Sequence, residues 1–254
     1  MSIKSKVFAA AATLTLVGGV GAAGALSAGS ASAATPSCGY TCIDIFSHNY
    51  GSHHSPSFVL DVLRQGDKVG QPIILFRTSN SDPAEDFTIS NQGEVSDFYT
   101  AGLVTASLAL HYGGLGCEIY HPGTSTCVRY FPDDYAYEIQ YSPYGVDSGL
   151  CVGTPTTAGN DTFVSLQPCG VSAKTVWVVD LANSTGHSLF DLYVPLINGS
   201  ETNFSNPYVL SYPQNSYPTD MPRPVLATQT LEQSSHHGTV NNNQEWGADF
   251  GPLP

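Results

Sequence analysis

Between Leu150 and Asp180 the chain is written in short runs. Phe163 to Gln167 alternates apolar and polar residues with period two, and Val176 to Val179 is apolar throughout. Both read as β-strands, half-buried in the first case and fully buried in the second. Ala158-Gly159-Asn160-Asp161 and Pro168-Cys169-Gly170 supply turns. Cys151 and Cys169 flank one of them, close enough to be bridged if the strands pair as a hairpin. Trp177 is the large aromatic that can anchor the unit in a core.

The pattern recurs on both sides. Upstream, Phe58-Val59-Leu60-Asp61-Val62 is followed by Pro72-Ile73-Ile74-Leu75-Phe76, the polar turn Ser79 to Asp82, and Glu85-Asp86-Phe87-Thr88-Ile89. Downstream, Tyr208-Val209-Leu210-Ser211 is followed by Pro224-Val225-Leu226 and then Gln244-Glu245-Trp246. Phe87, Trp177 and Trp246 fall at equivalent places. One such unit cannot bury its apolar face alone, whereas three can close on a shared interior.

These residues resemble the repeats of the ricin-type β-trefoil, the ricin B-like lectin family. There, a Cys-apolar-Asp strand precedes an apolar-aromatic-Pro-Cys strand and a Gln-x-Trp motif. Leu150-Cys151-Val152-Gly153, Leu166-Gln167-Pro168-Cys169 and Thr175-Val176-Trp177 take those places, and Gln244-Glu245-Trp246 matches the last motif fully. The resemblance implies an all-β fold, a β-trefoil of three pseudo-symmetric four-stranded repeats at about 56–97, 98–183 and 184–254. Residues 34–55 form an N-terminal loop segment with one strand-like run, Cys42 to Phe46. Phe87, Trp177 and Trp246 then fill the barrel floor, and Cys151 pairs with Cys169.

The resemblance also implies sugar binding. In the family an Asp on the first strand accepts hydrogen bonds from sugar hydroxyls, and an aromatic on the second strand stacks on the sugar ring. In the first repeat Asp61 and Phe76 take those roles, with Glu85 where the family commonly has Gln. Gly153 and Gln167 replace the pair in the second repeat, Ser211 and Thr228 in the third. At most one pocket of the family type survives, in the first repeat. The plainer alternatives are an Asp61 that bonds backbone amides and a Phe76 that packs in the barrel.

The leader changes the picture, because it is expected to place the protein outside the cell. Lys4 and Lys6 precede an apolar run from Val7, and Ala31-Ser32-Ala33 has the form of a signal-peptidase site. Residues 1–33 are expected to be a signal peptide, similar in its Ala- and Gly-rich style to those of secreted actinobacterial proteins. Gly18, Gly19, Gly21 and Gly24 interrupt the run and argue against a membrane span. Cleavage removes 33 of 254 residues and two lysines, so the formal net charge moves from −13 to −15 over 221 residues. Such a surface repels nucleic acid and anionic lipid, so the expected partner is a neutral carbohydrate or cell-surface glycan. No membrane insertion is expected after cleavage.

Six cysteines in an exported chain imply disulfides, and six allow fifteen connectivities. Cys117 with Cys127 and Cys38 with Cys42 are the simplest choices for the other four, with crossed pairing open. None has zinc-site spacing, so neither metal nor cofactor is expected. His48, His53 and His54, and likewise His236 and His237, read as solvated loops. Leu103 to Leu110 reads as strand because Thr105, glycines and aromatics surround it. The Tyr/Pro-rich stretch from Ser211 to Arg223 reads as extended and exposed.

No catalytic residue is expected. Asp147-Ser148-Gly149 has the look of a serine-protease nucleophile but lacks a following glycine and reads as a turn, and Asp133-Asp134 lacks a glycosidase partner. The expected function is that of a secreted, non-catalytic, lectin-like protein. The alternative is an extracellular interaction or inhibitor protein that uses the Tyr212–Arg223 and Cys117–Cys127 loops on a trefoil scaffold.

Overall fold

The structure, a computed structural model, describes residues 42–52, 55–79, 81–115, 117–118, 129–130, 133–186, 192–213, 215–232 and 240–250. The first repeat supplies β1 (Ile43–Ser47), β2 (Phe58–Val62), β3 (Ile73–Arg77) and β4 (Phe87–Glu94). Two helices follow, α1 (Val95–Thr100) and α2 (Ala106–Tyr112). The second repeat supplies β5 (Tyr135–Tyr141), β6 (Leu150–Gly153), β7 (Ser165–Pro168) and β8 (Val176–Val179). The third supplies β9 (Leu196–Asn198), β10 (Tyr208–Ser211), β11 (Ala227–Thr230) and β12 (Trp246–Phe250).

The first and fourth strand of each repeat close a ring. β1 pairs with β4 through Ile43 and Phe87, β4 with β5, β5 with β8, β8 with β9, and β12 with β1 over Ile43–Phe250 to Ser47–Trp246. The bridge between Val194 and Trp246 completes it. The second and third strands form the hairpins β2–β3, β6–β7 and β10–β11. Three backbone hydrogen bonds tie these hairpins to one another in a cycle. Ile73 N–H donates to the Val164 carbonyl at 3.1 Å, Val164 N–H to Leu226 at 2.8 Å, and Leu226 N–H back to Ile73 at 2.9 Å. A closed barrel capped by three hairpins with this threefold relation is a β-trefoil, as the repeats imply.

The three aromatics behave as one set. Phe87, Trp177 and Trp246 lie in a single buried cluster with Leu60, Ile73, Val152, Val164, Leu210 and Leu226. Trp177 Nε1–H donates to the Val152 carbonyl at 2.9 Å, and Trp246 Nε1–H to the equivalent Leu210 carbonyl at 2.8 Å. Each indole thus buries its apolar area with its one donor satisfied.

Three expectations are corrected. Residues 34–55 are more than a loop, because β1 is buried along its whole length and closes the barrel against β12. Leu103 to Leu110 is not strand. Thr105 accepts a hydrogen bond from Leu108 N–H at 3.2 Å as the N-cap of α2, which turns the residue taken as a strand signal into a helix start. Val95, Phe98, Leu108 and Tyr112 of the helices pack on Ala136, Val176, Val178, Ile197 and Val209. The continuous apolar run of β8 is explained: Trp177 faces the barrel interior while Val176 and Val178 face the helices. Finally, the Ser211–Arg223 stretch is not wholly exposed, since Tyr212 is 1 % exposed in the core and its ring meets Tyr50 edge-on at 5.3 Å.

Cys151 and Cys169 are bridged, with Cα atoms 5.0 Å apart. Cys42 is also disulfide-bonded. The expected partners Cys38 and Cys127 lie outside the described residues, as does the side chain of Cys117. The Cys151–Cys169 bond closes a loop of 18 residues, so replacing both cysteines by alanine is expected to cost about 3 kcal/mol, read as a lowered urea midpoint. An unaltered midpoint would contradict it. Among the described residues no helix is long and apolar enough to cross a membrane.

Candidate functional site

The first repeat builds a pocket where β2 and β3 leave the cap. Asp61 is near the end of β2, before a tight turn in which Arg64 and Gln65 hold positive φ of 59° and 54°. Beyond β3, Asp82 caps the short turn Pro83–Glu85: its Oδ1 accepts from Ala84 N–H at 3.0 Å and from Gln65 Nε2 at 2.9 Å. Glu85 Oε2 accepts from Ser79 N–H at 2.9 Å. Met221, Pro222 and Arg223 fold back from the third repeat as the far wall, and the cavity so enclosed measures about 630 Å³.

Three carboxylates converge here. One oxygen from each of Asp61, Asp82 and Glu85 lies within 4.8 Å of the other two. Asp61 is 4 % exposed and Glu85 3 %. Glu85 Oε1 has no hydrogen-bond partner, and among the described residues the Asp61 carboxylate has none either. Burial, then the charge of Asp82, pushes Asp61 up to about 8, with Arg223 pulling the other way. Burial also pushes Glu85 up to about 9; the Ser79 N–H opposes this, and Asp61, Asp82 and Asp44 add to it. Without a counter-cation, Asp61 and Glu85 therefore retain protons at neutral pH.

The sequence-derived residues meet, with one change of role. Asp61 and Glu85 stand together, and Phe76 lines the cavity onto which Asp61 opens. The Arg223 guanidinium, however, sits 4.3 Å from the centre of the Phe76 ring. The ring face expected to carry a sugar is covered by a cation–π contact. The pocket thereby offers a guanidinium beside carboxylates where the family pattern offers a bare aromatic. The site also contains Asp82 and Arg223, which the repeat pattern does not single out. Asp82 before Pro83 has the form of a turn cap, and Arg223 is one of only eight lysines and arginines, so both carried a weak signal.

Among the described residues, the other two repeats have no such site. Gly153 occupies the Asp61 position, and a Cβ there would lie 2.7 Å from the Lys174 carbonyl oxygen, so no acid can stand in its place. The family's Gln is Thr175, too short to reach the Gly170 N–H. Glu138 from β5 fills in, accepting from Gly170 N–H at 2.8 Å and from the Thr175 hydroxyl at 2.5 Å. In the third repeat Ser211 is buried and accepts from Gln244 Nε2 at 3.2 Å. The strand register places Gln229, opposite Val209, at the position of Phe76, in correction of Thr228.

Other chemically suggestive residues hold the fold together. The Ser148 hydroxyl donates to the Tyr141 carbonyl at 2.6 Å and accepts from Leu150 N–H, as a turn residue does. Asp133 Oδ1 accepts from Ser96 N–H at the start of α1. His48 bonds Glu245 Oε2 at 2.8 Å and stacks on Tyr193 with ring centres 4.0 Å apart. His53, His54, His236 and His237 lie outside the described residues.

Comparison with protein-family profiles and with curated protein sequences finds no match. Among solved structures, the chain is similar to the designed threefold-symmetric protein ThreeFoil, with 11 % identity and TM-score 0.47 over 83 % of this chain and 98 % of that one. It is also similar to a mosquitocidal holotoxin, with 11 % identity and TM-score 0.44 over 83 % of this chain and 17 % of the toxin. A third is the binding domain of botulinum neurotoxin DC in complex with rat synaptotagmin II, with 11 % identity and TM-score 0.41 over 82 % of this chain and 42 % of that one.

Proposed function

We propose that the protein is a secreted, non-catalytic, lectin-like binding protein whose first-repeat pocket holds a neutral carbohydrate. The observation that carries the reading is Asp61, a buried carboxylate that lines a cavity of about 630 Å³ without a hydrogen-bond partner among the described residues. An acidic side chain that opens onto a cavity without a partner from the protein can take a hydrogen bond from a ligand donor there. Sugar hydroxyls supply such donors in pairs. The guanidinium of Arg223 then takes the place of the bare aromatic as the second recognition element, and the surrounding acids disfavour anionic sugars. The Cys151–Cys169 disulfide suits an oxidising compartment.

Glycan-array binding of the mature protein tests this. Asp61→Asn keeps the shape of the side chain and replaces one carboxyl oxygen by an amide nitrogen that only donates; it is expected to weaken sugar binding about fivefold, the worth of one hydrogen bond. Unchanged glycan binding in that variant would remove Asp61 from the site. A second reading, a protein-binding trefoil, is favoured by Tyr217 and Met221, which stand 65 % and 79 % exposed, the latter on the pocket wall. It expects Tyr217→Ala with Met221→Ala to abolish capture of a protein partner while glycan binding persists.

A further inference from the structure

We infer that Asp61, Asp82 and Glu85 form a binding site for one divalent cation of calcium's size. Calcium binds carboxylate oxygens at about 2.3–2.6 Å, so two ligands on a common ion stand at most about 5 Å apart. The three oxygens already lie within 4.8 Å of one another. Three oxygens so spaced stand near the separation that one shared ion requires, and a small inward turn of the side chains brings them to it.

The second observation is the unpartnered Glu85 Oε1, on a side chain 3 % exposed. The pseudo-threefold relation shows where that atom points. In the third repeat Gln244 Oε1 accepts from Glu232 N–H at 2.8 Å, as Glu85 Oε2 accepts from Ser79 N–H at 2.9 Å. Glu85 Oε1 therefore takes the place of Gln244 Nε2. That nitrogen donates to the Thr230 carbonyl at 2.8 Å and to the hydroxyl of Ser211, the counterpart of Asp61, at 3.2 Å. One repeat has a donor facing a hydroxyl; the other has Glu85 Oε1 facing a second carboxyl group, with no hydrogen-bond partner.

The carboxylates are also held as ligands are. Asp82 spends Oδ1 on Ala84 N–H and Gln65 Nε2, and Glu85 spends Oε2 on Ser79 N–H. Each is oriented through one oxygen and keeps the other, the arrangement in which outer hydrogen bonds fix metal ligands. Arg223 is engaged with the Phe76 ring and Arg64 stands exposed on the rim, leaving the middle of the cluster without a cation. The open side of the cavity admits the waters that complete a coordination number of six to eight. This inference stands whether or not a sugar binds, because it draws on oxygens that face one another beneath the cavity.

The test uses mature protein freed of metal with a chelator and titrated with calcium chloride, followed by calorimetry and thermal denaturation. The wild-type protein is expected to take up one calcium ion with a Kd of about 10⁻⁴–10⁻³ M, the range of extracellular modules, and to gain about 4 °C or more in Tm near saturation. Glu85→Gln installs the residue that repeat three uses. It is expected to match or exceed the metal-free wild type in Tm and to bind calcium at least about tenfold more weakly. Asp82→Asn gives the same loss of affinity by an independent route. Wild-type protein that takes up no calcium at about 10 mM, or a Glu85→Gln variant that binds it as tightly as wild type, would overturn the assignment. Glycan binding read in calcium and in chelator keeps the two questions apart, because calcium uptake without any sugar sinks only the lectin reading.

Discussion

Trp177→Ala is expected to destabilise the protein by about 3–5 kcal/mol, the range for removing a large aromatic from a packed core. The indole is fully buried among residues from all three repeats, so the cavity has walls that belong to different hairpins and collapses poorly. The substitution also strips the Val152 carbonyl of the indole N–H it accepts at 2.9 Å, leaving a buried acceptor unsatisfied. Trp177→Phe should cost much less, because Phe87 shows that a phenyl ring serves at the equivalent place in the first repeat. Urea denaturation of both variants measures this. A loss below about 1 kcal/mol in Trp177→Ala would mean that the ring does not help close a common interior.

In chelator-containing buffer, stability is expected to fall as pH rises from about 5 to 9, the reverse of most acid-sensitive proteins. Burial, with Asp249 and Asp86 nearby, pushes Asp44 up to about 7. Burial, with Asp180 and Asp133, pushes Asp134 up to about 6. Asp61 and Glu85 reach about 8 and about 9. In the unfolded chain all four titrate at their ordinary values near 4. Between those limits the folded protein holds protons that the unfolded chain has released, so raising the pH favours unfolding. Each group contributes a slope of up to about 1.4 kcal/mol per pH unit, and the loss levels off above its folded value. The stabilising contribution is complete below about pH 4 and is lost as pH passes through the folded values. Thermal denaturation across that interval tests it; a Tm that climbs with pH would show that these carboxylates are not desolvated.

Much of the fold was legible because its signals are local. Period-two alternation, a turn and a recurring aromatic each lie within about ten residues. The match of Phe58-Val59-Leu60 to Leu150-Cys151-Val152 and Tyr208-Val209-Leu210 was enough to place three hairpins and three core rings. The site was legible by halves. Asp61, Phe76 and Glu85 could be aligned with the other repeats, but the role of Phe76 depends on Arg223, 147 residues further along the chain and brought back by a turn that alignment does not show. Thr105 misled because the same residue type favours a strand interior and caps a helix, and only the apolar face beneath α2 decides between them.

By itself the chain determined that it is built of strands in three related units, that Cys151 can reach Cys169, and that Phe87, Trp177 and Trp246 share an interior. These follow from pattern, because a strand must bury one face whatever its neighbours are. The tertiary structure alone decided that Ile43–Ser47 closes the barrel, that two helices cover its outer valines, and that Asp61, Asp82 and Glu85 face one another. Barrel closure and the gathering of like charges are long-range. They depend on which segments the completed fold brings together, and there the packing of the whole barrel holds three acids closer than their own repulsion would leave them.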